Sequence, residues 1–226
     1  MLQHEIMMTT SSGTTVTTDF RNRIEAAYQR SGNAFGWRFL YSPERTLGGA
    51  RVAFIGLNPG GSSEDDAHGR YAMESGSAYS NESWAGCAPG ESRLQRQVLA
   101  LFEKLDIKPE HVLAGNLVPF RSPDWRSLKD REASVQFGME LWAEVLRTAK
   151  PSLVITMGSQ ATRIVADLLG VEGLAKQRIG WGRVAGYWAQ SDGGRLIGLP
   201  HLSRFGVITR PQSSEALEEL LSLSKH

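Results

Sequence analysis

Cysteine is almost missing from this 226-residue chain, with Cys87 standing alone. One thiol closes no intrachain disulfide and cannot ligate an iron–sulfur cluster, so neither staple is expected and a reducing cytoplasm suits the sequence. A charge excess of either sign is also lacking. The 25 Lys and Arg balance 24 Asp and Glu, leaving a formal net charge of +1. That gives no global attraction to a polyanion or a membrane surface, so any such contact must come from a local patch. No apolar run reaches the length of a membrane span. The first residues, MLQHEIMMTTSSGTTVTTDF, lack the basic start and continuous apolar stretch of a secretory signal. Residues 1–17 are therefore expected to form a disordered N-terminal arm, followed by one domain over 18–226.

What is present is the composition of a globular chain, 41% hydrophobic and 22% charged. Asp19 to Gln29 has a helical pattern, with Thr18 or Asp19 as its cap. WRFLYSP suggests a strand or extended entry. RVAFIGL, HVLAGNLVPF and SLVITMG are short apolar runs, the pattern of buried parallel strands. Between the first two, residues 61–90 are polar and Gly/Ser-rich without periodicity, a length that is usually functional. Helices are expected from Ser92 to Leu105, from near Leu128 to Ala149, from Ser159 to Leu169 and from Ser213 to Ser224. Final strands are expected near Arg183–Gln190 and Arg195–Leu199. Alternating strands and helices predict a three-layer α/β/α sandwich with a mostly parallel central sheet. Ligands of such sheets bind beyond the carboxyl ends of the strands. GLNPGG, NLVPFRSP, MGSQA and PHLSRFG all fall at those ends.

Those four segments, in this order from about Arg51 to Gly206, resemble the uracil-DNA glycosylase superfamily. Gly56-Leu57-Asn58-Pro59-Gly60 is similar to its water-activating motif, in the form of the mismatch-specific branch. The resemblance makes Asn58 the residue that holds the attacking water, with Gly56, Leu57, Pro59 and Gly60 lining the base site. An amide oxygen accepts a hydrogen bond from water but takes no proton at neutral pH, so positioning outweighs base catalysis. Gly60 stands where other branches carry a Tyr against the thymine methyl, which leaves room for thymine or modified pyrimidines. Asn116, in AGNLVP, matches the residue that reads the flipped pyrimidine through one fixed amide.

Pro151-Ser152-Leu153-Val154-Ile155-Thr156-Met157-Gly158-Ser159-Gln160-Ala161 is similar to a stretch common in the superfamily, and Ser159 opens a helix whose amides suit a phosphate. Pro200-His201-Leu202-Ser203-Arg204-Phe205 resembles the loop that enters the minor groove. It implies that His201 donates to uracil O2, and that Arg204 or Phe205 fills the gap left by the flipped nucleotide. Ser203 joins the DNA contacts. Leu202 departs from the Pro usual in the family, which removes one source of rigidity. Tyr79 and Trp84 both suit stacking on the base, Tyr79 lying nearer the family position. Asp65, Asp66 and His68 follow the water motif as auxiliary bases or as a solvated loop.

The implied protein is a monomeric, monofunctional glycosylase acting on uracil-containing DNA, with no metal or organic cofactor and no lyase activity. Arg147, Lys150, Arg163, Lys176, Arg178, Arg183, Arg195, Arg204 and Arg210 make the second half basic, as a phosphate-contacting face requires. Two rivals share the residues: a DNA or abasic-site binding module with weak catalysis, and a nucleotide-acting α/β hydrolase using GLNPGGS as a phosphate loop. The P-loop Lys is missing from the latter.

Overall fold

The computed structural model describes residues 13–222. Six strands form one sheet: β1 Val52–Gly56, β2 Leu113–Asn116, β3 Leu153–Met157, β4 Ala175–Trp181, β5 Val184–Ser191 and β6 Gly194–Leu199. Their order is β2-β1-β3-β6-β5-β4. The first four in that order pair in parallel, and β5 and β4 continue the sheet antiparallel. The helices are α1 Gly13–Arg30, α2 Ala78–Asn81, α3 Arg93–Lys104, α4 Arg131–Ala149, α5 Ser159–Leu168 and α6 Ser214–Ser222.

The period-two alternation of a strand explains the three layers. Ala53, Ile55, Leu113, Val154 and Leu196 face one core with α1, α4 and α5, through Phe20, Ile24, Trp142, Val145 and Val165. Val52, Phe54, Ala114, Ile155, Ile197 and Leu199 face the other core with α3 and α6, through Val98, Leu101, Phe102, Leu217 and Leu220. α3 starts where a capping box dictates, the Ser92 hydroxyl accepting from Gln95 N while the Gln95 side chain accepts from Ser92 N.

Several boundaries differ from expectation. α1 begins at Gly13, ahead of the expected cap at Thr18 or Asp19, so the helical backbone covers part of the expected arm. Residues 1–12 lie outside the described residues. Of the two forms expected for WRFLYSP, strand or extended entry, it takes the second: it makes isolated bridges, Trp37 with Phe120 and Leu40 with Gly115, and runs into a short 3-10 turn at Glu44–Gly48. α4 starts at Arg131 rather than near Leu128, after Asp130 in a left-handed conformation (φ 40°). β4 was not anticipated, because its polar sequence AKQRIGW lies on the sheet edge with only Ile179 buried among exposed or half-exposed positions.

Sheet and helix α4 meet at bare backbone. A Cβ on Gly138 would lie 2.4 Å from the Leu117 carbonyl oxygen. Ala normally stabilises a helix interior by ~1 kcal/mol over Gly, but here the clash reverses the sign. Gly138→Ala is expected to destabilise the protein by about 1–3 kcal/mol, seen as a lower urea midpoint; an unchanged or raised midpoint would contradict the close packing.

Candidate active site

The carboxyl ends of β1, β2, β3 and β6 open onto one cleft of about 910 Å3. Asn58, Asn116 and His201 all line it, together with Leu57, Gly60, Tyr79, Ser203 and Arg204. Residues far apart in sequence, from Leu57 to Arg204, thus meet at one rim, as parallel strand ends require.

Asn58 follows β1 and its amide has one permitted orientation. Nδ2 donates to the Ser122 hydroxyl at 2.8 Å, to the Pro59 carbonyl at 3.1 Å and to the Phe120 carbonyl at 3.5 Å. Ser122 Oγ itself donates to the Asp124 carbonyl at 2.8 Å, so it must accept from Asn58. Carbonyls only accept. Oδ1 is left as an acceptor with no protein partner among the described residues. The loop beyond is pinned by Arg121, which donates to the Gly60 carbonyl at 2.6 Å and to Asp65 Oδ2 at 3.0 Å.

Asn116 ends β2, is 4% exposed, and pairs in register with Gly56 of β1. Its Nδ2 donates to the Tyr41 hydroxyl at 2.9 Å. A Cβ on Gly56 would sit 2.5 Å from Asn116 Oδ1, so glycine makes room for the amide. Gly60 is exposed, and a Cβ there would touch nothing within 4 Å.

Tyr41, Tyr79 and Trp84 form an aromatic wall, with ring centroids 5.3–5.7 Å apart. Tyr79 is only 2% exposed and lies edge-on to Phe54 and Phe102. Burial holds its hydroxyl well above the ordinary tyrosine pKa, hence protonated. Tyr41 and Trp84 present more ring surface. Behind the wall, Arg38 forms a bidentate ion pair with Glu82 at 2.7 and 2.8 Å, both side chains nearly buried. The guanidinium lies 4.5 Å over the Tyr41 ring, and Trp84 Nε1 donates to Glu82 at 2.9 Å. His68 joins Asp65 at 2.9 Å and approaches Glu82 at 3.8 Å. Asp65 and His68 line the cleft, whereas Asp66 is exposed outside it.

His201 stands in the turn after β6, its Nδ1 2.8 Å from Ser203 Oγ. Loss of hydration, aided by the Arg204 cation, lowers its pKa below the ordinary histidine value of 6.5, so the ring is neutral at pH 7. A Ser203 hydroxyl donating to Nδ1 leaves the proton on Nε2. Leu202 secures this loop by packing: it is fully buried, and the amides of Arg204 and Phe205 both donate to the His201 carbonyl, at 2.9 and 3.0 Å. The missing proline is thus replaced by an apolar anchor. Gly158 adopts φ 97° between β3 and α5, with its Cβ position 3.9 Å from His201 Cδ2. No side chain caps α5, and Ser159 is exposed at its first turn. Phe205 is half-buried and meets Trp181 rather than lining the cleft.

The model of the uracil DNA glycosylase superfamily matches residues 44–223, most of the chain. The chain belongs to the uracil-DNA glycosylase superfamily. Membership carries a DNA glycosylase-type function and hence a DNA substrate. No individual curated protein matches it. The superfamily fold agrees with the three layers seen here. The phosphate-loop rival loses support from geometry, because GLNPGGS leads into irregular chain and not into a helix. Among the described residues no group of His, Cys, Asp and Glu is arranged to hold a metal, and no helix is long and apolar enough to cross a membrane.

Sequence reasoning overlooked Tyr41, Arg38, Glu82, Arg121 and Ser122. Arg121 and Ser122 sat in plain view directly after NLVPF, while Tyr41 and Glu82 carry no local motif. Removing one member of a buried ion pair strands the other, at about 3–5 kcal/mol. Glu82→Ala is therefore expected to lower stability by that amount, and Arg38→Met with Glu82→Leu to recover most of it. Equal losses in the single and double variants, by chemical unfolding, would deny the pair its supporting role.

Proposed function

We propose that this glycosylase extrudes uracil from DNA into the cleft and hydrolyses its N-glycosidic bond. The observation that carries the reading is the meeting of Asn58, Asn116 and His201 in one cleft. Uracil presents an N3–H donor and an O4 acceptor, and the Asn116 amide offers one acceptor and a second Nδ2 hydrogen beside that spent on Tyr41. Cytosine presents the reverse, and each mismatched buried group costs about 1–3 kcal/mol. The base stacks on the aromatic wall, where Tyr79 is the covered base of the wall and Tyr41 and Trp84 its more open surfaces.

As the bond breaks, negative charge develops on the base and positive charge on the sugar. Neutral His201 donates from Nε2 to uracil O2, a donor placed where charge appears in the transition state. Water accepted by Asn58 Oδ1 then adds to C1′ and gives up a proton to solvent, completing hydrolysis. Asn58 orients and does not deprotonate, which predicts a modest turnover. Gly56, Leu57 and Pro59 shape the floor, and the open space at Gly60 supports acceptance of a 5-methyl group. Ser159, with the free α5 amides, and the main-chain amide of Ser203, whose hydroxyl is committed to His201, are the proposed phosphate contacts. Arg204, exposed at the cleft rim, is the better placed gap-filler, since Phe205 is engaged elsewhere.

Labelled uracil-containing oligonucleotides followed by alkaline cleavage test the activity; retention without scission would instead indicate a binding module. Asn116→Asp is expected to erode the uracil-over-cytosine preference. His201→Ala is expected to slow single-turnover excision by ~10²-fold or more while leaving DNA affinity nearly intact. Any acid limb in the parent's rate should lie below the ordinary histidine value, because loss of hydration lowers His201's pKa and protonation there removes the Nδ1 acceptor that takes the Ser203 hydroxyl. That acid limb should vanish in His201→Ala, and its persistence would assign the titration to another group. Ser122→Ala is expected to reduce kcat by about tenfold with KM unchanged, as one net hydrogen bond to a positioning amide is lost, and Ser122→Thr to restore it.

A further inference from the structure

The β4–β5 hairpin lies beside the cleft, yet the proposed chemistry makes no use of it. Residues 173–214 carry Lys176, Arg178, Arg183, Arg195, Arg204 and Arg210 against one acid, Asp192. The topology sorts these charges. Asp192 lies in the β5–β6 turn, at the end of β6 remote from His201, and Arg195 is buried at that same end with its guanidinium 4.7 Å over the Trp188 ring. Arg183 belongs to the other end. Tyr187 of β5 pairs antiparallel with Gly198 of β6. Carrying that register forward sets Val184 opposite His201, so the Gly182–Arg183 turn projects past the end of β6 alongside the His201 loop.

Side-chain contacts agree with the register. The Trp181 ring meets Phe205 edge-on at 6.2 Å, and the Arg210 guanidinium lies 4.5 Å over the same Trp181 ring. Arg93, at the start of α3, donates to the Arg204 carbonyl at 2.9 Å. Trp181 is half-buried, while Arg93, Arg183 and Arg204 are exposed. Arg23, Arg38, Arg70 and Arg121 each have a carboxylate within 4.0 Å. Among the described residues Arg93, Arg183, Arg204 and Arg210 have none. Unpaired cations gathered on one rim repel each other and are complemented by a chain of closely spaced negative charges.

We infer that the tip of the β4–β5 hairpin, with Arg183, Arg210 and Arg93, clamps the phosphate backbone of the DNA flank that leaves the cleft beside His201. Trp181 and Phe205 form the apolar support of this clamp, which occupies Phe205 and leaves Arg204 facing the cleft. The inference rests on DNA being the substrate; it does not depend on uracil being the base removed.

Equilibrium binding of the full chain to an undamaged duplex oligonucleotide, measured across salt concentrations, tests it. Each phosphate contact contributes about 0.9 to the slope of log K against log salt. Arg183→Ala and Arg210→Ala are each expected to make the slope shallower by about 0.9, and the double variant by ~1.8. Arg183→Lys and Arg210→Lys keep the charge and are expected to keep the parental slope. Excision from a uracil trinucleotide, too short to reach the hairpin, is expected to be unchanged in all of them. A double Ala variant with the parental slope would overturn the clamp, as would an equal loss of slope in the Lys variants. Should the parent remove no uracil at all, the excision reading falls while the slope comparison still decides the clamp.

Discussion

Gly56 and Asn116 face each other across the β1–β2 pair, and the site is built outward from that pairing. Parallel strands place both residues at the same height on the rim. The missing side chain on one leaves space for the amide on the other, with only 2.5 Å between the position of a Gly56 Cβ and Asn116 Oδ1. One residue further along the chain from Gly56, the backbone has left the sheet, and two further along Asn58 turns into the cleft. A shift of register by one residue would send Asn116 to the opposite face and separate it from Asn58. The apolar alternation into two cores fixes that register, so the packing of the sheet and the reading of a base are set by the same pattern.

The cleft contains two kinds of support. Asn58 is held by acceptors that cannot change role, namely two carbonyls and a hydroxyl already committed as donor. Asn116 leans on Tyr41, whose ring is in turn held between a buried ion pair and two aromatic neighbours. The first arrangement is local, made by segments adjacent to the motifs. The second draws on Arg38, Glu82 and Trp84 from the extended entry and the long loop. That loop is held in place by its ties to Arg121, Arg38 and Tyr41, which accounts for a long stretch with little regular structure.

Much of this was legible in the residues. The three apolar runs gave the parallel strands, because strands covered on both faces must be continuously apolar. The polar segments beyond these strands and beyond the last one marked a rim, and the resemblance to the superfamily singled out Asn58, Asn116 and His201 within them. β4 was invisible because an edge strand is not required to be apolar on both faces. WRFLYSP left a strand and an extended entry open, because β-forming residues also suit a segment that bridges at single points, and it is the extended entry. Tyr41 and the Arg38–Glu82 pair escaped because buried partners 44 residues apart leave no periodic trace. Leu202 misled for a related reason: rigidity was sought in backbone chemistry and is supplied instead by a buried side chain.

The sheet order has a temporal implication. β6 is the last strand in sequence but is seated between β3 and β5. Until it arrives, the β4–β5 hairpin has no neighbour through which to join the parallel half. His201 follows β6 by two residues. Closing the sheet and delivering the histidine are therefore one event, and a chain still emerging from its template holds an unfinished site for as long as its final strand is missing.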